Sequence, residues 1–404
     1  MTFNRRQFLG SALPLVALGS SADASTSELT SVSSSASYYA ESSATSTTDP
    51  NTQVWLAGDS LPYPAESEAT RLQALLLKHR TNPGFSAGSY MDSYLSGGAV
   101  SALEEKFSSL LGKESSVFMP TGTMANHIAI RLLCGEAKHA LVQQESHVYR
   151  DESNCVTTLS GINLVPLAAG KTAPTLSELN EAIQRAEIGP YPIKVGAISL
   201  ESPVRRTQGG TLSIEQISEI AKIARAKQIP LHLDGARLLL MCGVPGFELK
   251  SYCQFFDTVY VSLYKYLGSP YGAILSGTKI QMNKARELRH ILGGTQSSGW
   301  HAALPALDAL EGVEQRFASV RQAGEALLST LEKIDGIKVH RVEQGSNIAT
   351  LAFSPARLAG LEQRLKDANI KARKVLDGKM SLQFNESILR RDTAYLVAAL
   401  AGIN

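Results

Sequence analysis

Leu231-His232-Leu233-Asp234-Gly235-Ala236-Arg237 and Val259-Tyr260-Val261-Ser262-Leu263-Tyr264-Lys265 share one pattern. Each is a short apolar run that breaks off into polar chain. Runs of this length, rich in aliphatic residues and bounded by turn residues, read as strands buried on both faces. Residues 116–119, 140–142, 164–167, 195–200 and 273–276 read the same way, and helical periodicity fills the intervals 122–133, 176–186 and 213–227. Strands that alternate with helices imply an α/β fold with a mostly parallel sheet covered on both faces. Upstream, residues 65–79 place Leu72, Leu75 and Leu76 on one helical face, and residues 81–98 form a loop rich in Gly, Ser and Tyr. A second amphipathic helix over 99–111 ends at Gly112. Downstream, one long helical stretch over 304–334 leads into a smaller α+β unit with strands at 337–340 and 348–353.

The chain has 404 residues, 44% hydrophobic and 19% charged, which suits one large domain plus a smaller one. The formal net charge is +2, and no basic block interleaves with aromatics, so nucleic acid is not an expected partner. Cys134, Cys155, Cys242 and Cys253 form no CxxC pair, and no His or Cys sits at metal-ligand spacing from another. Buried free thiols are expected, and no metal site.

At the N-terminus, Asn4-Arg5-Arg6-Gln7-Phe8-Leu9 reads as a twin-arginine signal. A mild apolar run to Leu18 and a small-residue cleavage site at Ala22-Asp23-Ala24 follow it. That run falls short of the roughly 20 apolar residues of a spanning helix. The expectation is export of a folded, cofactor-loaded protein to the periplasm by the twin-arginine machinery, without a membrane span. Residues 25–52 are Ser/Thr-rich and too poor in aliphatics to offset ordering entropy, which reads as a linker. The expected division is therefore a signal peptide over 1–24, a linker over 25–52, a large domain over 53–300 and a small C-terminal domain over 301–404.

In parallel sheets, ligands gather at the carboxyl ends of the strands, and several polar residues fall there. Pro120-Thr121-Gly122-Thr123-Met124-Ala125-Asn126 joins a strand to a helix, and the amides of Gly122, Thr123 and Met124 could hold a phosphate at the helix N-terminus. A plain Thr N-cap would leave the same pattern. Asp234 follows buried Leu231 and Leu233 and needs a partner. Arg237 would make a structural pair; a protonated pyridine nitrogen would make a functional one, held by roughly 4 kcal/mol at about 4 Å and an effective dielectric near 20. Lys265 either snorkels to solvent or, flanked by Tyr264 and Tyr266, is a desolvated Schiff-base amine. His147 is either a structural loop residue or a flat ring that stacks on the pyridine.

Taken together, these segments resemble the threonine aldolase/β-eliminating lyase family of fold-type-I enzymes dependent on pyridoxal 5'-phosphate (PLP). The likeness rests on Pro120 to Asn126, on His232-Leu233-Asp234-Gly235-Ala236-Arg237 and on Leu292-Gly293-Gly294, and spans about Asn82 to Gly312. It implies a PLP-binding large domain and a homodimer or homotetramer with sites at the subunit interface. Gly122 and Thr123 would hold the phosphate, and His147 would stack on the ring. Asp234 would pair with the ring nitrogen, and Lys265 would form the Schiff base. Arg237 would bond near the ring hydroxyl or the substrate carboxylate, and Glu201 would lie near the substrate.

Four departures fall on the substrate side. No segment clearly matches the family's opening Ser-Asp-Thr. Tyr264 stands where a Ser precedes the lysine, and Ser297 follows the Gly-Gly turn in place of a basic residue. Lys379, with Arg373 nearby, replaces the carboxylate-binding Arg. A lysine lacks the planar fork of a guanidinium. The expected activity is a carbon–carbon or β-eliminating lyase on a β-substituted, β-hydroxy amino acid, with a substrate other than small free threonine. A transaminase that tailors an exported peptide amine or secondary metabolite, and a non-catalytic binding protein on the same fold, are the rival readings.

Overall fold

The computed structural model describes residues 52–60, 62–80 and 90–403. The twin-arginine segment, the Ser/Thr-rich linker up to residue 51 and loop residues 81–89 lie outside the described residues. Among the described residues the strands are β1 (Val54–Trp55), β2 (Ser115–Met119), β3 (His139–Gln143), β4 (Asn163–Leu167), β5 (Val195–Glu201), β6 (Leu231–Asp234), β7 (Thr258–Ser262), β8 (Ala273–Gly277), β9 (Ile337–Arg341), β10 (Ile348–Phe353), β11 (Ile370–Lys371) and β12 (Lys379–Gln383).

Seven of them make the central sheet, in the order β2-β8-β7-β6-β5-β3-β4. The pairs from β4 through β7 are parallel, whereas β8 runs antiparallel to both β7 and β2. Every residue of β5, β6, β7 and β8 is buried, which is why these strands read as continuous apolar runs and not as alternating ones.

The helices that matter for the site are α1 (Ala65–His79), α2 (Gly98–Leu111), α3 (Gly122–Cys134) and α4 (His147–Arg150). Thr121 caps α3: its Oγ1 accepts the Met124 N–H at 3.1 Å. Only glycine fits at 122, because a Cβ there would lie 1.9 Å from Tyr260 Oη. The stretch expected as one helix over 304–334 is two, Trp300–Ala309 and Val313–Leu331. Gly312, at φ +64°, turns the chain between them.

The C-terminal part carries the antiparallel sheet β9-β10-β12. It also holds the first described residues, which sequence reading placed with the large domain. Val54 pairs with Ile370, Ala57 bridges to Gln383, and Asn385 Nδ2 donates to the carbonyls of Trp55 and Gly58. A two-residue strand carries no periodicity from which such a long-range pairing could be read.

Candidate active site

Three neighbouring parallel strands deliver the central groups. Glu201 ends β5, Asp234 ends β6 as its register partner, and Lys265 lies in the turn after β7. Asp234 is buried. Its Oδ1 accepts the Ala236 N–H at 3.1 Å, and its Oδ2 accepts from Asn126 Nδ2 at 2.8 Å. No ion pair reaches Asp234 among the described residues.

A polar chain stands behind that carboxylate. Asn126 Nδ2 also donates to Glu152 Oε1 at 2.9 Å, so Asn126 Oδ1 must accept. It does so from His232 Nε2 at 3.0 Å, and His232 Nδ1 then accepts from the Thr258 hydroxyl at 2.9 Å. Burial pushes the pKa of His232 down to about 4, which keeps the ring neutral and the chain in one sense. Asn126 lies in the quoted strand-to-helix segment, but nothing in the sequence marked its side chain as the prop of Asp234.

Lys265 is partly buried, and its Nζ makes no hydrogen bond or ion pair among the described residues. It lies 5.9 Å from the centroid of the Tyr264 ring. Burial, then the charge of Arg237, push its pKa down to about 8 against the pull of Asp234, Asp59 and Glu201. Such an amine keeps a far larger neutral fraction near physiological pH than an ordinary lysine, and the neutral form is the nucleophile.

His147, expected in a loop, opens the one-turn helix α4. Its backbone N–H donates to Glu201 Oε2 at 2.6 Å, and its Nδ1 lies 3.0 Å from Glu152 Oε1. Burial opposes a charge on His147, but the bond to Glu152 and the charges of Asp234 and Glu152 outweigh it and raise its pKa. Glu201 also accepts the Arg205 N–H at 3.1 Å. Its burial, together with the like charge of Asp234, pushes its pKa up to about 7. Farther out, Asp151 at the end of α4 pairs with Arg205 at 3.0 Å and with Arg206. Glu152 was not among the residues singled out from sequence; only its place five residues after His147 hinted at it.

Arg237 does not pair with Asp234. Its Nε donates to Oδ2 of Asp59 at 2.9 Å, and its Nη2 lies 2.8 Å from the same oxygen in an ion pair. Asp59 Oδ1 accepts from Asn347 Nδ2 at 3.2 Å. The structure thus supplies a segment that sequence reading did not find: Gly58-Asp59-Ser60 sits beside Arg237, at the place where an opening acidic segment was missed. Its signal was a single carboxylate in a short polar stretch, with glycine and not serine in front of it. Both side chains are nearly inaccessible, at 8% for Arg237 and 9% for Asp59. Removing one partner of a buried pair of this kind costs about 3–5 kcal/mol.

The two candidate carboxylate-binding residues near the C-terminus part company. Arg373 donates from Nε to the Ala57 carbonyl at 3.2 Å and from Nη2 to Gln383 Oε1 at 2.8 Å, two residues from Asp59. Lys379 lies at the other end of β12, paired with Ala352, while Gln383 pairs with Ile348 next to Asn347. Four strand positions separate the two ends, roughly 13 Å. The structure therefore brings Arg373 and not Lys379 beside the N-terminal segment.

At the carboxyl end of β2, the N–H groups of Gly122 and Thr123 find no acceptor among the described residues, at the N-terminus of the 13-residue α3. Unsatisfied helix-terminal amides suit a phosphate. These amides, a buried carboxylate without a cation and a lysine without a partner are the donor and acceptor set that PLP requires, so the residues fit that cofactor.

Comparisons with known proteins agree with this arrangement. The Escherichia coli (strain K12) low specificity L-threonine aldolase is 28% identical over 281 residues, 69% of this chain and 82% of its own length. The Arabidopsis thaliana low-specificity L-threonine aldolase 1 is 29% identical over 59% of this chain and 67% of its own. A Listeria monocytogenes structure with a provisional L-allo-threonine aldolase name superposes with a TM-score of 0.71 at 23% identity, covering 86% of this chain and 94% of that one. At that identity the likeness speaks for the fold alone, which is that of fold-type-I PLP enzymes. The sequence profile described as Beta-eliminating lyase matches residues 87–354, about two thirds of the chain. With that match, and with the site assembled as above, the chain belongs to the β-eliminating lyase family.

Proposed function

We propose that this chain is a PLP-dependent lyase that cleaves the Cα–Cβ bond of a β-hydroxy amino acid, in the manner of its threonine aldolase relatives. The observation that carries the reading is the pairing of two unmatched groups at adjacent strand ends: Asp234, buried without a cation, and Lys265, without a partner and with a depressed pKa. PLP, when bound, supplies an electron sink for the pair of electrons left at Cα. The protein's own residues do the rest. Lys265 Nζ would hold the cofactor at its carbonyl carbon, and Asp234 would keep the ring nitrogen protonated. Asn126 and His232 hold Asp234 in place. The N–H groups of Gly122 and Thr123 would take the phosphate. His147 would lie against the ring, and with Nδ1–H donating a hydrogen bond to Glu152 its Nε2 would be left to accept the proton of the β-hydroxyl. Neither the transaminase nor the binding-protein reading gains support from the relatives.

On the substrate side, Gly58 removes a hydroxyl, Tyr264 replaces a small residue and Lys379 lies away from the cluster. These features favour a larger β-substituent or a peptide-linked amine over free threonine. The consecutive Arg5 and Arg6 support export to the periplasm, and the family favours a homo-oligomer.

The deciding experiment is borohydride reduction of the purified, coloured protein followed by peptide mapping. The cofactor is expected on Lys265; an adduct on another lysine, or none, overturns the assignment. Kinetics with L-threonine, L-allo-threonine and L-phenylserine then rank substrates. A kcat/KM above about 10⁴ M⁻¹s⁻¹ on either threonine isomer would restore the plain aldolase reading. Changing Arg5 and Arg6 to Lys should leave a PLP-loaded protein in the cytoplasm, and undiminished periplasmic accumulation would rule the signal out.

A further inference from the structure

We propose that Asp59 is the positioning residue of Arg237: it takes the Nε–Nη2 edge of the guanidinium, leaves the Nη1 side to the ligand, and balances the Arg237 charge beside Lys265. A guanidinium has five N–H donors on two usable edges. Here one edge is closed, because Nε and Nη2 both converge on Asp59 Oδ2, while Nη1 has no partner among the described residues. The side chain is thereby fixed in rotation, with one outward edge for a ring hydroxyl or a substrate carboxylate.

Asp59 is itself held from two directions. Asn347, next to β10, donates to its other oxygen, and the segment carrying it is fastened through Ala57 to Gln383 and through Gly58 to Asn385. A residue among the first described ones thus reaches the carboxyl end of the central sheet from the C-terminal sheet's side. Burial works against the Asp59 charge, but Arg237 and, more weakly, Lys265 hold its carboxyl below the usual range. The other two of these charges act in turn on Lys265, where Arg237 favours the neutral amine and Asp59 the protonated one. Asp59 therefore does two things that an uncharged hydrogen-bond acceptor could not do together. It orients the guanidinium, and it keeps Arg237 from driving the Lys265 amine further toward neutrality.

The proposal rests on Lys265 as the cofactor lysine, but its test reads the amine without the cofactor. In full chain stripped of PLP, the rate at which acetic anhydride labels Lys265 is followed against pH by peptide mass spectrometry. The natural chain is compared with Asp59→Asn, Arg237→Gln and the double variant. The labelling midpoint is expected to fall by roughly one pH unit in Asp59→Asn and to rise by a similar amount in Arg237→Gln. In the double variant it should return close to the natural value. If Asp59→Asn does not fold, Arg237→Gln against the double variant still isolates the Asp59 charge. In that comparison the midpoint must be higher where Asp59 is kept. Equal midpoints across the folded variants would overturn the proposal. PLP affinity, measured by titration into the same proteins, should weaken in Asp59→Asn and recover in Asp59→Glu. Recovery in Asp59→Glu separates positioning from mere space filling. Failure of borohydride capture at Lys265 would instead sink the cofactor assignment and leave the charge coupling standing.

Discussion

The ring side and the substrate side of the site are built in opposite ways. The ring side is made by strand ends of a single sheet. Asp234, His232 and Thr258 come from β6 and β7, and Asn126 comes from the helix packed over them, all buried and hydrogen-bonded to one another. The substrate side is made by pieces from far apart in the chain: Asp59, Asn347, Arg373 and Gln383. A buried network with every member satisfied is rigid and tolerates little change. Contacts joined across long stretches of chain, such as the exposed Arg373 on Gln383, can change one at a time, although the buried Asp59–Arg237 pair is costly to break. That contrast fits the sequence pattern, in which the strand-end segments resemble the family and the departures fall on the other side.

The largest effect should come from the ring side. Asp234→Asn should still bind PLP but lose roughly a hundredfold or more in kcat, since an amide cannot keep the ring nitrogen protonated. Steady-state turnover of the best substrate checks it. Near-normal turnover would remove the electron-sink argument and make the two sides equivalent.

A middle effect is expected at the junction of the two sides, where His147 meets Glu152. Glu152→Gln takes away the charge that, against burial, favours protonated His147, so the His147 pKa falls. With Nε2 acting as base, the acid limb of the kcat/KM profile should move to lower pH by roughly one unit. The stability that His147 gains from Glu152 needs both groups charged, so it is lost as pH rises through the raised pKa of His147 and as pH falls through the raised pKa of Glu152. The variant should therefore lose most stability in the mildly acidic window between those two titrations. A limb that stays in place in a folded variant would mean that His147 is not the titrating base.

The smallest effects belong to the rim. Arg373→Ala should raise KM several-fold with little change in kcat, as loss of a charged hydrogen bond of about 1.5 kcal/mol or more would do. Lys379→Ala, exposed at the far end of β12, should stay within about twofold in both constants. The reverse pattern would move the carboxylate contact back to Lys379 and redraw the boundary between the two sides.

The central sheet was legible because its strands are buried on both faces, so each reads as an unbroken apolar run between polar breaks. The strand ends were legible for the same reason: Asp234 and Lys265 stand out as charges directly after such runs, where only a partner or a function keeps a charge. His147, Gly122 and Thr123 were found through their place between a strand and a helix. Sequence alone thus determined the fold class, and it singled out Lys265 and Asp234 as the charged pair at adjacent strand ends. It could not say which of two partners Arg237 takes. Nor could it show that Asn126 and Glu152 hold the two functional side chains, or that residues 54–60 pack with the C-terminal sheet. Those choices depend on contacts between positions separated by tens to hundreds of residues, and no periodicity encodes them. The tertiary structure decided them because closing the fold brings Asp59 to Arg237, where a buried guanidinium is stable only beside a buried carboxylate.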